Sequence, residues 1–198
     1  MSAIDTHAQL VTRHAPLSRN ATYLASAPIR ALLRSITELG WLVELDAAGD
    51  AMAYALAQLA DFKLPVVVDH FGHPQSGLGA DSPSVRAILH AAKSMPVYVK
   101  FSAPYRCPPN EGGGLIRLYL DALGPERLMW GSDWPWIRNE RATTYADCRM
   151  RFDEWVPSEA DRQQILSRTP MRLFGFPASE DEDLSSAYAI LQSMRRSA

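Results

Sequence analysis

Short apolar runs recur along the chain, and most are followed by a segment in which apolar residues have helical spacing. The clearest run is PVVVDH at 65–70, where consecutive valines precede two ionisable residues. Continuous runs of this kind are typical of parallel strands that are buried on both faces. The pattern predicts strands at 8–13, 41–46, 65–70, 96–102 and 127–133.

Most segments between these runs contain a stretch with helical spacing and predict a helix there. Pro28 suits the first turn of the first helix, and Ser158 followed by Asp161 resembles a capping box at the start of the last one. The segments 71–83 and 103–114 are rich in Gly, Ser and Pro and predict loops. Alternation of strands and helices favours a parallel sheet with helical crossovers. Helices are predicted at 27–39, 50–62, 84–94, 115–123, 145–155 and 158–167.

Composition and charge narrow the class of protein. The chain has 198 residues, a formal net charge of -2 and 47% hydrophobic residues. These values are ordinary for a globular domain and give no electrostatic reason to expect a nucleic-acid or membrane partner. The N-terminus lacks the pattern of a secretory signal, and two cysteines, Cys107 and Cys148, are too few for a disulfide framework. We therefore expect a cytoplasmic protein with a small-molecule partner.

Ionisable residues end two of the predicted strands. Asp69 and His70 end one, and Asp133 ends another in the segment WGSDWP. Such groups are costly at a buried strand end unless they are paired or used. His70 can bind a metal, hold a carbonyl or carboxylate, or shuttle a proton, and Asp133 can act as a general base on water. The alternatives are a structural histidine and a turn-capping aspartate, and Asp69 is expected to point away and cap its loop.

Further candidates cluster near the end of the strand at 96–102. They include Lys100, Ser102, Tyr105 and Arg106. The guanidinium of Arg106 can bind a substrate carboxylate with two hydrogen bonds, although a solvated loop arginine is an equally good interpretation. Arg13, at the end of the first predicted strand, is a weaker candidate for an anion site.

The remaining aromatic and histidine residues have simpler interpretations. Trp134 and Trp136 flank Asp133 and can form an apolar mouth that receives a flat ring, whereas core packing accounts for Trp130. Glu111 beside the glycine run is expected to be a charge at a helix N-terminus. Loop positions are expected for His7, His14 and His73, and a helix surface or packing position for His90.

Four segments resemble, in order, motifs of the amidohydrolase-related family, in its branch of 2-pyrone-4,6-dicarboxylate lactonase and similar hydrolases. PVVVDHFGHP at 65–74 is similar to P-V-V-x-D-H-x-G-R-P, and VKFSAPYR at 99–106 to V-K-L-S-G-x-Y-R. LMWGSDWPW at 128–136 is similar to W-G-T-D-W-P-H, and TPMRLFGF at 169–176 to N-P-A-R-L-F-G-F. The resemblance covers about 13–177, which is most of the chain.

This resemblance implies an α/β fold of the TIM-barrel-like (β/α)8 type. The strands of this chain would be the fourth to the eighth, so the barrel is expected to be incomplete, with about five of eight βα units. In the family, the last aspartate activates the hydrolytic water, and the histidine and arginines hold the carbonyl and carboxylates of the substrate. By that alignment Asp133 would be the base, His70 would orient the carbonyl, and Arg106 would anchor a carboxylate, with Arg13 as a further candidate anchor.

Three departures from the family pattern stand out. Metal-dependent relatives bind zinc with a first-strand H-x-H pair, but the nearest imitation here, DTHAQ, has Gln9 in the last place and is read as a coincidence or a fusion scar. His73 stands where the motif has arginine, and Trp136 where it has histidine. We therefore expect no cofactor, with a divalent metal such as zinc as the alternative.

The sequence thus predicts a partial barrel domain at 1–177 and an acidic, helical tail at 178–198. The expected activity is hydrolysis of a lactone or a related cyclic carboxylated substrate, with Tyr105, Ser102 and Trp134 among the substrate contacts. A barrel without its first strands would expose sheet edges. Three alternatives therefore stay open: a homo-oligomer, an open sheet, or a degenerate barrel without catalysis. A metal-dependent hydrolase or decarboxylase is a further alternative within enzymes.

Overall fold

The computed structural model describes residues 24–107 and 110–176, and these contain a parallel sheet. Its strands follow one another in the order β1-β2-β3-β4. Crossovers between parallel strands are right-handed, so this consecutive order places the connecting helices on one face, as in a barrel. The predicted α/β class with parallel strands is confirmed. The strands are β1 (Val43–Leu45), β2 (Val66–Val68), β3 (Val97–Phe101) and β4 (Leu128–Trp130).

Each predicted helix within the described ranges is present. The first five are α1 (Ala27–Glu38), α2 (Gly49–Leu59), α3 (Pro83–Ala91), α4 (Gly112–Leu123) and α5 (Tyr145–Trp155). No helix in these ranges has the length and apolar character that a membrane span requires. The predicted strand at 8–13, Arg13 and the tail from residue 178 lie outside the described residues, so the proposed domain boundaries stay predictions.

Helix α4 begins three residues before its predicted start, and the glycines of its first turn pack against an aromatic ring. A Cβ atom at Gly112 would lie 2.5 Å from the ring of Trp155, and one at Gly113 would lie 3.2 Å from it. The missing side chains therefore let α5 pack closely against the first turn of α4. Glu111 is the N-cap residue of this helix, as expected.

The last predicted helix is longer than expected and changes its geometry. It runs through α6 (Glu159–Gln163) into a π-helical turn at Gln164–Arg168 and on into α7 (Thr169–Phe174). Pro170 lacks the N–H that a regular α-helix would use to bond the carbonyl of Leu166, and a wider turn accommodates this loss. The amide of Asp161 donates to Ser158 Oγ at 3.3 Å, which gives the predicted cap at the helix start.

The two faces of the sheet have different chemistry. Side chains of alternate residues, such as Val66, Val68, Val97 and Val99, pack into the main hydrophobic core, on the face that carries the helices. The opposite face carries Lys100, which is fully buried. A charged lysine in such a place requires anionic partners, and these come from neighbouring strands.

Asp69 and Glu44 are these partners. The nitrogen Nζ of Lys100 lies 2.9 Å from Asp69 Oδ1 and 3.1 Å from Glu44 Oε1. Burial lowers the pKa of Lys100, but the two carboxylates more than offset this and raise it above its usual value. The expectation that Asp69 points away and caps its loop is wrong. Its amide donates to Leu45 O, so the strand continues and alternation turns the carboxylate towards Lys100.

Candidate active site

The predicted site residues follow the carboxyl ends of the strands. His70 comes after β2, Ser102 and Tyr105 come after β3, and Asp133 comes after β4. Because the strands are parallel, these ends lie at one edge of the sheet. Asp46 comes directly after β1 and reaches the same edge.

The backbone at this edge has an unusual conformation. Eight non-glycine residues in the described parts of the loops after β2, β3 and β4 have positive φ. Five of them lie within five residues of a strand end: His70 (51°), Phe71 (58°), His73 (47°), Ala103 (50°) and Asp133 (60°). L-residues rarely adopt this region, and each costs about 1–3 kcal/mol unless the surrounding structure imposes it. Such strain concentrates at active sites and ligand clamps, so the backbone independently indicates this edge as the functional one.

Ser102 fixes the ring of His70. The ring nitrogen Nδ1 lies 2.8 Å from Ser102 Oγ, and the backbone amide of His70 donates to the same oxygen at 3.3 Å. The other ring nitrogen, Nε2, lies 3.7 Å from Asp133 Oδ1. The imidazole is buried, with 7% of its surface exposed. It is therefore held by Ser102 and faces the carboxylate.

Asp133 is held on its other side by the loop after β3. The hydroxyl of Tyr105 donates a hydrogen bond to Asp133 Oδ2, and Arg106 Nε lies 3.6 Å from the same oxygen. Burial and the hydrogen bond to Asp133 raise the pKa of Tyr105 to about 12. Tyr105 therefore keeps its proton at neutral pH and acts as a donor. The buried carboxylate has one oxygen towards Tyr105 and Arg106 and the other towards His70.

A second group of polar side chains adjoins His70. His73 Nε2 lies 2.5 Å from Asp46 Oδ1, and the rings of His70 and His73 meet edge to face with centroids 5.0 Å apart. One ligand atom from each of these three residues lies within 4.8 Å of the others. Two imidazoles and a carboxylate are donors that zinc and similar cations accept. The donor set therefore fits a divalent metal.

This group is what sequence reasoning missed. No metal ligand beyond His70 and Asp133 was evident from the sequence, and His73 was expected to be an ordinary loop histidine. The signal for Asp46 was available, because it ends the strand WLVELD just as Asp133 ends its own. Nothing local, however, indicates that His73 lies against it.

The three tryptophans considered in the sequence analysis have different environments. Trp134 has 59% of its surface exposed, so it does not close a wall over Asp133. Trp136 donates from Nε1 to Ser132 O at 2.9 Å and thereby supports the loop. Trp130 is buried against Tyr145 in the core, as expected.

A cavity of about 370 Å³ lies between Tyr105 and α5. Arg151, Asp147 and Glu154 contribute charged groups to its wall, together with the apolar side chains of Met150 and Trp155. Because the wall carries both signs of charge, it is no dedicated anion pocket. It gives space beside Tyr105, which donates to Asp133.

Known proteins with similar sequences and structures identify the family and the fold of this chain. The family model described as "Amidohydrolase" matches residues 6–176. The 4-sulfomuconolactone hydrolase of Hydrogenophaga intermedia is 30% identical over 146 residues, which are 70% of this chain and 48% of that protein. The 2-pyrone-4,6-dicarboxylate hydrolase of Comamonas testosteroni is 31% identical over 157 residues, covering 70% of this chain and 50% of that protein.

A solved structure shows the same fold. A probable 2-pyrone-4,6-dicarboxylic acid hydrolase of Acinetobacter baumannii, with citric acid bound, aligns with a TM-score of 0.71 at 30% identity. The alignment covers 77% of this chain and 59% of that one, and the chain spans about half the length of the curated relatives it matches. The parallel sheet of the described residues is therefore part of a TIM-barrel-like fold, and the chain belongs to the amidohydrolase family.

Proposed function

We propose that this protein hydrolyses a lactone that carries carboxylate groups, with Asp133 as the general base. The observation that supports this most directly is the position of the Asp133 carboxylate between the His70 imidazole and the Tyr105 hydroxyl. Relatives named as hydrolases of a sulfomuconolactone and of a pyrone dicarboxylate support the substrate class. The citric acid in the structure of the Acinetobacter relative is consistent with a carboxylated ligand.

In the proposed reaction, Asp133 takes a proton from a water molecule. The resulting hydroxide attacks the lactone carbonyl, and the tetrahedral intermediate breaks the bond to the ring oxygen. The proton held by Asp133 then passes to the departing ring oxygen, which leaves an open-chain hydroxy acid, or its keto tautomer where the substrate is a pyrone. The hydrogen bond from Tyr105 and the contact with Arg106 orient the carboxylate for this task.

His70 is proposed to stabilise the developing negative charge on the carbonyl oxygen. When the Ser102 hydroxyl donates to Nδ1, the ring carries its proton on Nε2, which faces the site and can donate to that oxygen. In this scheme Ser102 acts through His70 as a positioning residue. A divalent cation held by Asp46, His70 and His73 would supply Lewis-acid polarisation of a bound oxygen.

Arg106 is proposed to bind a carboxylate of the substrate. Its side chain is 39% exposed while its Nε faces Asp133. The guanidinium therefore extends from Asp133 towards the solvent-exposed part of the site. Tyr105, whose ring lies under the Arg106 guanidinium, and the exposed Trp134 are proposed to contact the ring of the substrate. Arg13 is proposed as a second anion anchor.

The test is a lactonase assay with matched variants. The substrates are 2-pyrone-4,6-dicarboxylate, 4-sulfomuconolactone and an uncharged δ-lactone, each with and without a chelator. Asp133→Asn is expected to lower kcat/KM about 10²–10⁴-fold because the base is lost. Asp121→Asn is the control, because Asp121 is an exposed residue near the end of α4, at the opposite edge of the sheet.

The outcomes are distinct. Retained turnover in Asp133→Asn would remove Asp133 from the mechanism. No turnover by folded protein on any substrate would contradict the hydrolase proposal, and binding without turnover would then favour a non-catalytic barrel. For His70, the variant His70→Asn is compared with His90→Asn, since His90 lies exposed in the last turn of α3.

A further inference from the structure

The loop after β2 places two imidazoles on the same side of the chain. Four consecutive residues, His70, Phe71, Gly72 and His73, have positive φ values of 51°, 58°, 76° and 47°. This tight left-handed run brings the first and last residues together, with their rings edge to face at 5.0 Å. The carboxylate of Asp46 comes from the end of the neighbouring strand β1 and lies against His73.

We propose that Asp46, His70 and His73 form a binding site for one divalent transition-metal cation, with Zn²⁺ as the ion that suits the donors best. Ligand atoms about 2.0–2.1 Å from a tetrahedral zinc lie roughly 3.3 Å from one another. The distances within this group range from 2.5 Å between His73 and Asp46 up to at most 4.8 Å. Binding therefore requires shifts of about 1–1.5 Å in these side chains.

The two side chains that must shift to bind the ion, those of Asp46 and His73, are the more exposed ones. The side chains of Asp46 and His73 are 51% and 24% exposed, whereas His70 is buried and fixed by Ser102. His70 then provides the rigid ligand, and the other two close around the ion. Three protein ligands leave a fourth position for water or a substrate oxygen.

The surroundings of His70 suit a metal ligand. A ligating histidine usually donates its second ring N–H to an oxygen acceptor, which fixes the tautomer. In the metal-bound form, Ser102 Oγ, which stands 2.8 Å from Nδ1, accepts this proton and leaves the lone pair of Nε2 for the ion. His70 then holds the cation instead of donating an Nε2–H to the substrate oxygen. Among the contacts of the described residues, Asp46 and Asp133 bring two carboxylates to this edge and Arg106 brings one guanidinium, so the local charge balance also favours a cation.

The proposed site differs from the first-strand H-x-H zinc site of the metal-dependent relatives. Its ligands come from the ends of β1 and β2, and His73 stands where the similar family motif has an arginine. It is therefore different from a first-strand H-x-H pair. The competing interpretation is that Asp46 and His73 form only an ion pair that joins two loops.

Metal binding decides between these interpretations without reference to turnover. Purified, metal-stripped full-length protein is titrated with Zn²⁺ in competition with a chromophoric chelator, and separately with Co²⁺, whose visible absorption reports tetrahedral coordination. The background variant carries His7→Gln and His14→Gln, so that these N-terminal histidines do not contribute. We expect one equivalent of Zn²⁺ per chain and a tetrahedral Co²⁺ spectrum.

The variants are chosen to spare the proposed base. His73→Gln and Asp46→Asn are each expected to weaken Zn²⁺ binding about tenfold or more, and His73→Arg is expected to abolish it because the guanidinium brings a fixed charge and no lone pair. The controls are His90→Gln and Asp50→Asn, which change exposed helix residues. Thermal unfolding of each metal-free protein shows that the variants are folded.

Two results would overturn the proposal: the absence of saturable binding, or binding that His73→Arg and Asp46→Asn leave unchanged. Activity is measured on the same samples but is read separately. A protein that binds Zn²⁺ and hydrolyses no lactone supports the site and contradicts the proposed hydrolysis. A protein that hydrolyses lactones and binds no metal gives the opposite result.

Discussion

Replacing Lys100 by methionine is expected to destabilise the protein more than a typical point substitution. Lys100 is fully buried on the sheet face opposite the helices, and its ammonium group lies 2.9 Å from Asp69 and 3.1 Å from Glu44. Methionine nearly matches the length of the lysine side chain, so packing changes little. The main effect is that the Asp69 carboxylate, whose side chain is 2% exposed, loses this counter-ion.

The magnitude follows from the cost of isolating a buried charge. Removing one partner of a buried ion pair costs about 3–5 kcal/mol, which is a large part of the roughly 5–15 kcal/mol that stabilises a typical domain. Glu44 is 26% exposed and can turn towards water, so Asp69 accounts for most of the loss. Replacing both members, as in Lys100→Met with Asp69→Leu, is expected to cost less than Lys100→Met alone, because no buried charge remains unpaired.

Urea unfolding at pH 7 measures these differences, with Lys93→Met as the control for an exposed lysine. Because the pKa of Lys100 is raised above 10.5, its stabilisation is fully present below that pH and is lost as the pH rises through the folded-state pKa. The difference between wild type and Lys100→Met is therefore expected to shrink at alkaline pH. A loss below about 1 kcal/mol for Lys100→Met at pH 7, or a double variant that is less stable than this single one, would refute the reasoning.

Two further predictions concern the core. Iodoacetamide at pH 8 is expected to spare both thiols of the native protein and to label both after unfolding. The reason is that burial raises the pKa of Cys107 to about 12 and that of Cys148 above its usual value. Mass spectrometry measures the labelling, and rapid labelling of the native protein would contradict this expectation. Gly112→Ala is expected to cost about 1–3 kcal/mol in the free energy of unfolding, since the new Cβ would lie 2.5 Å from the Trp155 ring. Gly114→Ala in the same helix meets nothing within 4 Å and is expected to stabilise by about 0.5–1 kcal/mol; equal effects of the two alanines would refute the packing argument.

The order of strands and helices was predictable because each element carries its own period. β2 is a run of three valines, and the predicted limits of α5 are those observed. The end of α4 at Leu123 was predicted, but its start at Gly112 was not. Local propensity opposes helical glycines, and the packing of Trp155 against Gly112 and Gly113 comes from another helix, so it leaves no local signal.

Part of the candidate site was predictable because its residues follow the ends of predicted strands. The rule that chemistry lies at strand ends identifies His70 and Asp133 from the sequence alone, and the structure places them 3.7 Å apart. That rule does not reveal that Asp69 is paired with Lys100, because this contact depends on the register of β2 and β3. The contact between Asp46 and His73 depends in addition on a run of left-handed backbone, which ordinary propensities disfavour.

His73 stands where the similar family motif has an arginine, and this difference changes which ligands this edge of the sheet can bind. An arginine would add a permanent positive charge suited to a carboxylate, whereas His73 offers a neutral nitrogen lone pair when its ring is unprotonated. With Asp46 against it and Asp133 nearby, His73 adds a donor to the proposed metal site and provides no fixed anion anchor. Arg106 remains as the arginine of the described site and faces Asp133. The same difference therefore supports both the proposed cation at His73 and a proposed substrate with fewer carboxylates. Both follow from the absence of a permanent positive charge at position 73.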